Sequence, residues 1–293
     1  MAHYRKKILI TGAAGLIGRE LCKQLGSDFS VIGVDNNFRY PEYRPDCAYI
    51  KEDLLKYLRS AENTFDYIFH MSAINGTKYF YDIPNKVIEN NVISDLEVFN
   101  FTKKNKDCKL IYASSSEVVV GTDCFPTVET SDIVIENIHN ARWSYRLGKV
   151  LAENYLMNSD LNFLIVRFFN VFGPASGSGH FIKDILDKMD VSNFTLQGAD
   201  ETRSFCRVED AVDALINIFD LASNEIINIG SDEEITVLEA ANMLAGQRNK
   251  EIEWKIENGP LGSTKRRKPS LDKLRQYYPE YSPKKFSEAI TDL

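Results

Sequence analysis

The stretch Lys7-Ile8-Leu9-Ile10-Thr11-Gly12-Ala13-Ala14-Gly15-Leu16-Ile17-Gly18 decides the fold. Residues 8–11 are an apolar run of strand length, a glycine-spaced turn comes next, and an amphipathic helical pattern occupies 16–25. Strand, turn and helix in that order build a phosphate-binding opening. Gly12 permits the tight turn, Gly15 lets the backbone approach a pyrophosphate, and Gly18 lets the helix pack closely on the strand, so that helix N-terminal amides face the phosphate. The spacing is GxxGxxG rather than GxGxxG. The competing reading is a glycine-rich connection with no ligand, and the strand-turn-helix setting speaks against it.

Working outward, Asp35 stands 17 residues after Gly18, where the second apolar run over 30–34 ends. A carboxylate there accepts hydrogen bonds from adenosine ribose hydroxyls and repels a 2′-phosphate, which favours NAD over NADP. Within Asp35-Asn36-Asn37 the same residue also reads as an ordinary turn aspartate. Further strand-length runs lie at 67–70, 109–114 and 163–168, separated by helical patterns that include 84–105 and 142–158. Continuous apolar strands alternating with helices predict an α/β fold with a doubly wound parallel sheet of Rossmann type. From Gly173 the pattern changes to a Gly- and Ser-containing stretch at 174–179, short helices and a basic cluster at 265–268. The reading is therefore a dinucleotide-binding domain over 1–170 and a smaller C-terminal α/β substrate-binding part over 171–293, with one late strand at 225–229 returning to the main sheet.

Composition narrows the partners. The 293 residues are 44% hydrophobic, enough for a sizeable core, and the net charge of −7 opposes attraction to nucleic acid or anionic lipid. Any phosphate must be held by a local arrangement. The five cysteines Cys22, Cys47, Cys108, Cys124 and Cys206 stand singly, with no metal or disulfide spacing, so no metal is expected and a reducing cytoplasm fits. The basic stub at 3–7 leads straight into a four-residue apolar run, too short for a signal peptide, and no run reaches membrane length.

Tyr145 and Lys149 are four apart on the predicted helix at 142–158, so their side chains share a face. An ammonium beside a phenol lowers its pKa, and a phenolate stabilised in this way can take a proton from a hydroxyl. Alone, this spacing occurs by chance on many helices. Ser114-Ser115-Ser116-Glu117 adds weight, because it ends the fourth strand at the carboxyl edge where open sheets bind ligands. Serine runs and solvated glutamates are otherwise common loop material.

Taken in order, these residues resemble the extended short-chain dehydrogenase/reductase family of nucleotide-sugar epimerases, dehydratases and decarboxylases. The likeness runs through Asp53-Leu54, His70-Met71-Ser72-Ala73, Tyr145 with Lys149, Arg167-Phe168-Phe169-Asn170-Val171-Phe172-Gly173-Pro174, Thr202-Arg203-Ser204-Phe205, Asn228-Ile229-Gly230-Ser231 and Arg266-Arg267-Lys268-Pro269. The resemblance implies that Asp53 and Leu54 contact the adenine of NAD, that Met71, Ser72 and Ala73 line its nicotinamide side, and that Leu16, Ile17, Asn36, Asn91 and Phe168 lie near it. It further implies Tyr145 as base, Ser115 as its hydroxyl partner and Lys149 as a holder of the nicotinamide ribose. Ser116, Asn170, Arg203 and Arg267 would bind the diphosphate substrate, and a homodimer would form through the helices at 84–105 and 142–158.

Two departures stand out: Met71-Ser72-Ala73 replaces the usual leucine-alanine-alanine, and Val118-Val119-Val120-Gly121 replaces valine-tyrosine-glycine. The first step implied is oxidation of a sugar hydroxyl, commonly at C4, to a keto-sugar. Epimerisation or dehydration stands first for the fate of that keto-sugar, with decarboxylation and net oxidation as alternatives and a catalytically silent NAD-binding scaffold as the reading from another class. Glu117 is the catalytic candidate at which these classes diverge.

Overall fold

A computed structural model describes residues 5–177, 179–189, 195–260 and 262–293. Positions 3 and 4 of the basic stub and Ser178 lie outside the described residues. The first half contains β1 (Lys7–Thr11), α1 (Leu16–Leu25), β2 (Ser30–Asp35), β3 (Ala48–Lys51), α2 (Leu54–Ser60), β4 (Tyr67–His70), α3 (Thr77–Asp82), α4 (Pro84–Lys104), β5 (Lys109–Ser115), α5 (Trp143–Met157) and β6 (Asn162–Phe168). A single 3-10 turn, Ser116–Val119, comes directly after β5. The second half adds β7 (Val171–Phe172), α6 (Phe181–Lys188), β8 (Thr195–Gln197), β9 (Thr202–Arg203), β10 (Cys206–Arg207), α7 (Val208–Ile218), β11 (Glu225–Ile229), β12 (Ile235–Thr236), α8 (Val237–Gln247), β13 (Lys255–Glu257), β14 (Arg266–Arg267), α9 (Asp272–Tyr277) and α10 (Phe286–Ala289).

Seven strands form one parallel sheet in the order β11-β6-β5-β4-β1-β2-β3. Strands such as β1 and β4 are buried on both faces, which is why they read as unbroken apolar runs. Leu21, Leu25, Val212 and Leu215 of α1 and α7 cover one face, and Val98, Phe99, Ala152 and Leu156 of α4 and α5 cover the other. The chain winds outward from β1 through β2 to β3, then crosses to β4 on the opposite side of β1. That reversal opens a crevice at the carboxyl ends of β1 and β4, the place where doubly wound sheets bind ligands.

β11 pairs with β6 in parallel, so the late strand at 225–229 does return to the main sheet. The remainder of the second half builds its own apolar cluster around Phe172, Ile185, Phe205, Leu244 and Phe286. β3 was not expected from the sequence. It is a four-residue edge strand with exposed ends and no fully buried position, so it carries no apolar run to read. Among the described residues no helix is long and apolar enough to cross a membrane, and no cluster of His, Cys, Asp or Glu could hold a metal.

Candidate active site

A cleft of about 740 Å³ opens over the crevice. Gly12, Gly15, Leu16, Ile17, Gly18, Asp35, Asn36, Asp53, Leu54, Met71, Ser72, Ala73 and Phe168 line it, and so do Ser115, Ser116, Glu117, Tyr145, Lys149, Asn170, Arg203 and Arg267. Positions from widely separated sequence stretches thus converge on one cavity. Asn91 is the exception: it is buried behind the wall, where its amide accepts from Ile74 N–H at 2.8 Å and donates to Ile74 C=O at 3.1 Å.

The glycine turn is shaped by exclusion of side chains. Gly12 has φ +70°, and a Cβ there would lie 2.7 Å from the Ser72 nitrogen, while a Cβ at Gly18 would collide with the Gly12 carbonyl. Asp35 braces the same loop, accepting from Ala14 N–H at 3.1 Å and from Asn37 N–H at 2.7 Å. A cradle that any side chain would fill, opening at the α1 N-terminus beside a carboxylate at the end of β2, fits the diphosphate and adenosine ribose of a dinucleotide. Asp53 has a second task, as its carboxylate caps α2 by accepting from Leu55 and Lys56 N–H.

Tyr145 is almost fully buried and stacks on Phe80 at 5.0 Å. Burial pushes its phenol up, and the hydrogen bond with the Ser115 hydroxyl opposes this. The stabilising ammonium expected from the Tyr145–Lys149 spacing is directed elsewhere. Lys149 Nζ lies 5.9 Å from the Tyr145 ring centroid and donates instead to Tyr112 Oη at 2.9 Å. The spacing on α5 was read correctly, but β5 presents a nearer acceptor to the buried ammonium. Burial lowers the Lys149 pKa, with Asp95 and Glu153 opposing it.

Glu117 is buried between two guanidinium groups. Arg142 donates to it in bidentate fashion at 2.9 and 2.5 Å, and Arg267 Nη1 donates at 2.7 Å. Burial alone would raise its pKa, yet the charges of Arg267 and Arg142 outweigh burial and hold the carboxyl well below the usual range. Among the described residues Arg267 Nε and Nη2 have no hydrogen-bond partner, although both are buried. Arg203 is engaged already, donating to Thr202 C=O, Thr264 C=O, Glu201 and Ser263. Asn170, at φ +42°, donates to Ser204 C=O at 3.0 Å.

Sequence reasoning missed Arg142. It precedes Tyr145 by three positions on the same helical face, a signal available only once Glu117 is known to approach that face. It also missed Thr11, His70, Asp95 and Tyr112, which form a buried polar chain under the cleft. These lie on four different elements and share no spacing.

Residues 8–230 match the NAD dependent epimerase/dehydratase family. The chain is 31% identical to the UDP-N-acetyl-alpha-D-glucosaminuronate decarboxylase of Bacillus cytotoxicus over 95% of its own length and 94% of the relative's. It is 29% identical to UDP-glucuronic acid decarboxylase 3 of Arabidopsis thaliana, over 92% and 82% of the two chains. Among solved structures, an epimerase of Methanothermobacter thermautotrophicus superposes with a TM-score of 0.84 at 26% identity, covering 98% of this chain and 90% of that one. With the glycine cradle, the Asp35 carboxylate at the end of β2 and the Ser115–Tyr145 pair in one cleft, the chain belongs to the NAD dependent epimerase/dehydratase family and is an NAD-dependent enzyme of that kind.

Proposed function

We propose that this enzyme takes a nucleoside diphosphate sugar carrying a carboxylate at C5, oxidises C4 to the ketone and lets the keto-acid lose carbon dioxide. The observation that carries this reading is Glu117 clamped between Arg142 and Arg267 beside Ser115 and Tyr145. Dehydration asks a base to remove the C5 proton, and a carboxylate held ionised by two cations is a weakened base. Decarboxylation asks for none. The bond from C5 to the carboxyl carbon breaks, its electron pair moves into the enolate of the C4 ketone, and carbon dioxide leaves before C5 is reprotonated. The free Nε and Nη2 of Arg267 suit an anionic substrate group, since a guanidinium fork matches carboxylate or phosphate oxygens. The uronate decarboxylases among the relatives point the same way.

In this reading Tyr145 accepts the C4 hydroxyl proton, Ser115 shares that proton, and Lys149 holds positive charge beneath the cofactor. Bound NAD would supply the acceptor for the C4 hydrogen with its electron pair and, as NADH, the donor that returns it to C4 once carbon dioxide has left, so that no net NADH forms; its positive ring charge would favour the tyrosinate. Gly12, Gly15, Leu16, Ile17, Gly18, Asp35, Asn36, Asp53, Leu54, Met71, Ser72, Ala73 and Phe168 form the cofactor side, and Ser116, Asn170, Arg203 and Arg267 the substrate side. Residues 171–293 supply much of the latter. Epimerisation at C4 is the second reading, because it also needs no base at C5. Five free cysteines fit a cytoplasmic enzyme. We further infer a homodimer through α4 and α5, which leave Ile93, Leu96, Leu151 and Met157 exposed.

The test is incubation with UDP-glucuronate, UDP-N-acetylglucosaminuronate, UDP-glucose and UDP-N-acetylglucosamine, tracking product mass and NADH. Loss of carbon dioxide from a uronate is expected. Unchanged mass with inverted C4 would replace it by epimerisation, loss of water by dehydration, and stoichiometric NADH by net oxidation. Tyr145→Phe is expected to lower kcat by roughly 10²–10⁴-fold; full retention would favour a silent scaffold.

A further inference from the structure

Five buried side chains form a continuous hydrogen-bonded chain beneath the cleft, and all of its donors converge on one carboxylate. From one end, Lys149 Nζ donates to Tyr112 Oη at 2.9 Å, and Tyr112 donates to Asp95 Oδ2 at 2.7 Å. From the other end, Ser72 N–H donates to Thr11 Oγ1 at 3.4 Å, and Thr11 Oγ1 lies 2.6 Å from His70 Nδ1. His70 Nε2 lies 2.9 Å from Asp95 Oδ1. These partners assign the tautomer: Nε2–H donates to the carboxylate and Nδ1 accepts from Thr11. Thr11, His70, Asp95, Tyr112 and Lys149 are each at most 2% exposed and sit on β1, β4, α4, β5 and α5.

The charges around Lys149 single out Asp95. Glu153, one turn along α5, is already taken by Arg167 on β6 through bonds of 2.9 and 2.7 Å, and it also accepts from Ser114. His70 on β4 is lowered by burial and is neutral near pH 7. Tyr112 on β5 and Tyr145 on α5 are both pushed upward by burial and carry no charge in the resting site. Among the described residues around Lys149, Asp95 on α4 is therefore the carboxylate without a cation of its own, and Lys149 has no directly paired carboxylate. The Tyr112 hydroxyl bridges them. A buried ammonium lacking such a counter-charge loses its proton more readily, because the low dielectric penalises the charged form.

We propose that Asp95 is a positioning residue which, through Tyr112, supplies the counter-charge that keeps Lys149 protonated and aimed beneath the cofactor. This deepens the proposed function and rests on its assignment of Lys149. The same carboxylate ties that lysine to Thr11, which leads into the glycine turn, and to Ser72 on the facing loop. Asp95 touches neither reactant and acts through its neighbours.

The sign of its removal is fixed by electrostatics. Asp95→Asn deletes the negative charge but preserves shape and bonding. The asparagine oxygen accepts from Tyr112, and its amide donates to His70 once the imidazole changes tautomer. Lys149 loses its counter-charge, so its pKa falls. Tyr145, which Asp95 also pushes upward, does not move up. Tyr112→Phe keeps the charge but removes the ammonium's acceptor, and it also lowers the Lys149 pKa.

A pH titration of lysine Cε resonances in ¹³C-lysine-labelled protein tests the proposal, with Lys149 assigned from a Lys149→Ala spectrum. Circular dichroism checks that each variant folds. A downward shift of the Lys149 midpoint in Asp95→Asn, or in Tyr112→Phe should the first variant not fold, is the expected result. A midpoint unchanged in a folded variant overturns the proposal. Turnover of the substrate identified by the nucleotide-sugar incubations gives the second readout: the alkaline limb of kcat should move down with the midpoint, about tenfold in rate on that limb per unit. Lower kcat with an unmoved limb is what a purely structural role would give, and it also overturns the proposal. Failure of the proposed function looks different, as full turnover in Lys149→Ala or no turnover by the wild type, while the titration still tests Asp95.

Discussion

At the residue scale, Glu117 shows how neighbours decide what a side chain does. As a serine-loop glutamate it could be a catalytic base, an acid or a solvated bystander, and nothing in Ser114-Ser115-Ser116-Glu117 chooses among them. Arg142 and Arg267 choose: they hold it ionised and buried. Glu117→Gln leaves two guanidinium groups around a neutral amide, and removing one partner of a buried ionic cluster costs roughly 3–5 kcal/mol. Urea unfolding should show that loss as a lower midpoint with an unchanged slope. The pH dependence has a definite sign. The folded-state pKa lies below the unfolded one, so the carboxylate's contribution is fully present above the ordinary glutamate value of about 4.3 and is lost as pH falls below it. Glu117→Gln should therefore lose stability less steeply on acidification than the wild type.

At the scale of elements, the helices differ in how their ends are secured. α1 begins at Gly15 with no side-chain cap, which leaves its N-terminus open to the cleft. α8 begins with a complete capping box, in which the Thr236 hydroxyl accepts from Glu239 N–H at 3.0 Å and the Glu239 carboxylate accepts from Thr236 N–H at 2.7 Å. α8 packs Ala240, Ala241 and Leu244 into the cluster of the second half. Thr236→Ala should cost about 1 kcal/mol. Thermal unfolding checks this, and cofactor affinity should not change, because the cradle lies in the first half. Two of the elements that the sequence did not place are short: β3 is a four-residue edge strand without a fully buried position and α3 spans six residues, so neither repeats its apolar pattern often enough to stand out. The two longest helices are legible in the sequence to within a residue or two. The helix at 84–105 ends at Lys104, and that at 142–158 spans Trp143–Met157 with Arg142 and Asn158 as its caps.

At the scale of the whole molecule, α4 and α5 lie side by side on the sheet face that carries Asp95 and Lys149, and their outer surfaces expose Ile93, Leu96, Leu151 and Met157. If subunits pair there, charges on that face abolish pairing. Ile93→Glu combined with Leu151→Glu should shift the sedimentation mass from dimer to monomer, and a wild type that sediments as a monomer would remove the dimer from the account. The family resemblance named many of the residues that line the cleft, and what the sequence determined by itself was the parallel sheet and the glycine turn. Those signals are local: an apolar run, a spacing of glycines, a carboxylate at a strand end. Only the tertiary structure decided which groups meet. Lys149, four residues from Tyr145, bonds instead to Tyr112, and Glu117 is claimed by Arg267, 150 positions away. Burial and charge act through space, so the electrostatics of the site are set by the topology that brings distant strands and helices to one crevice.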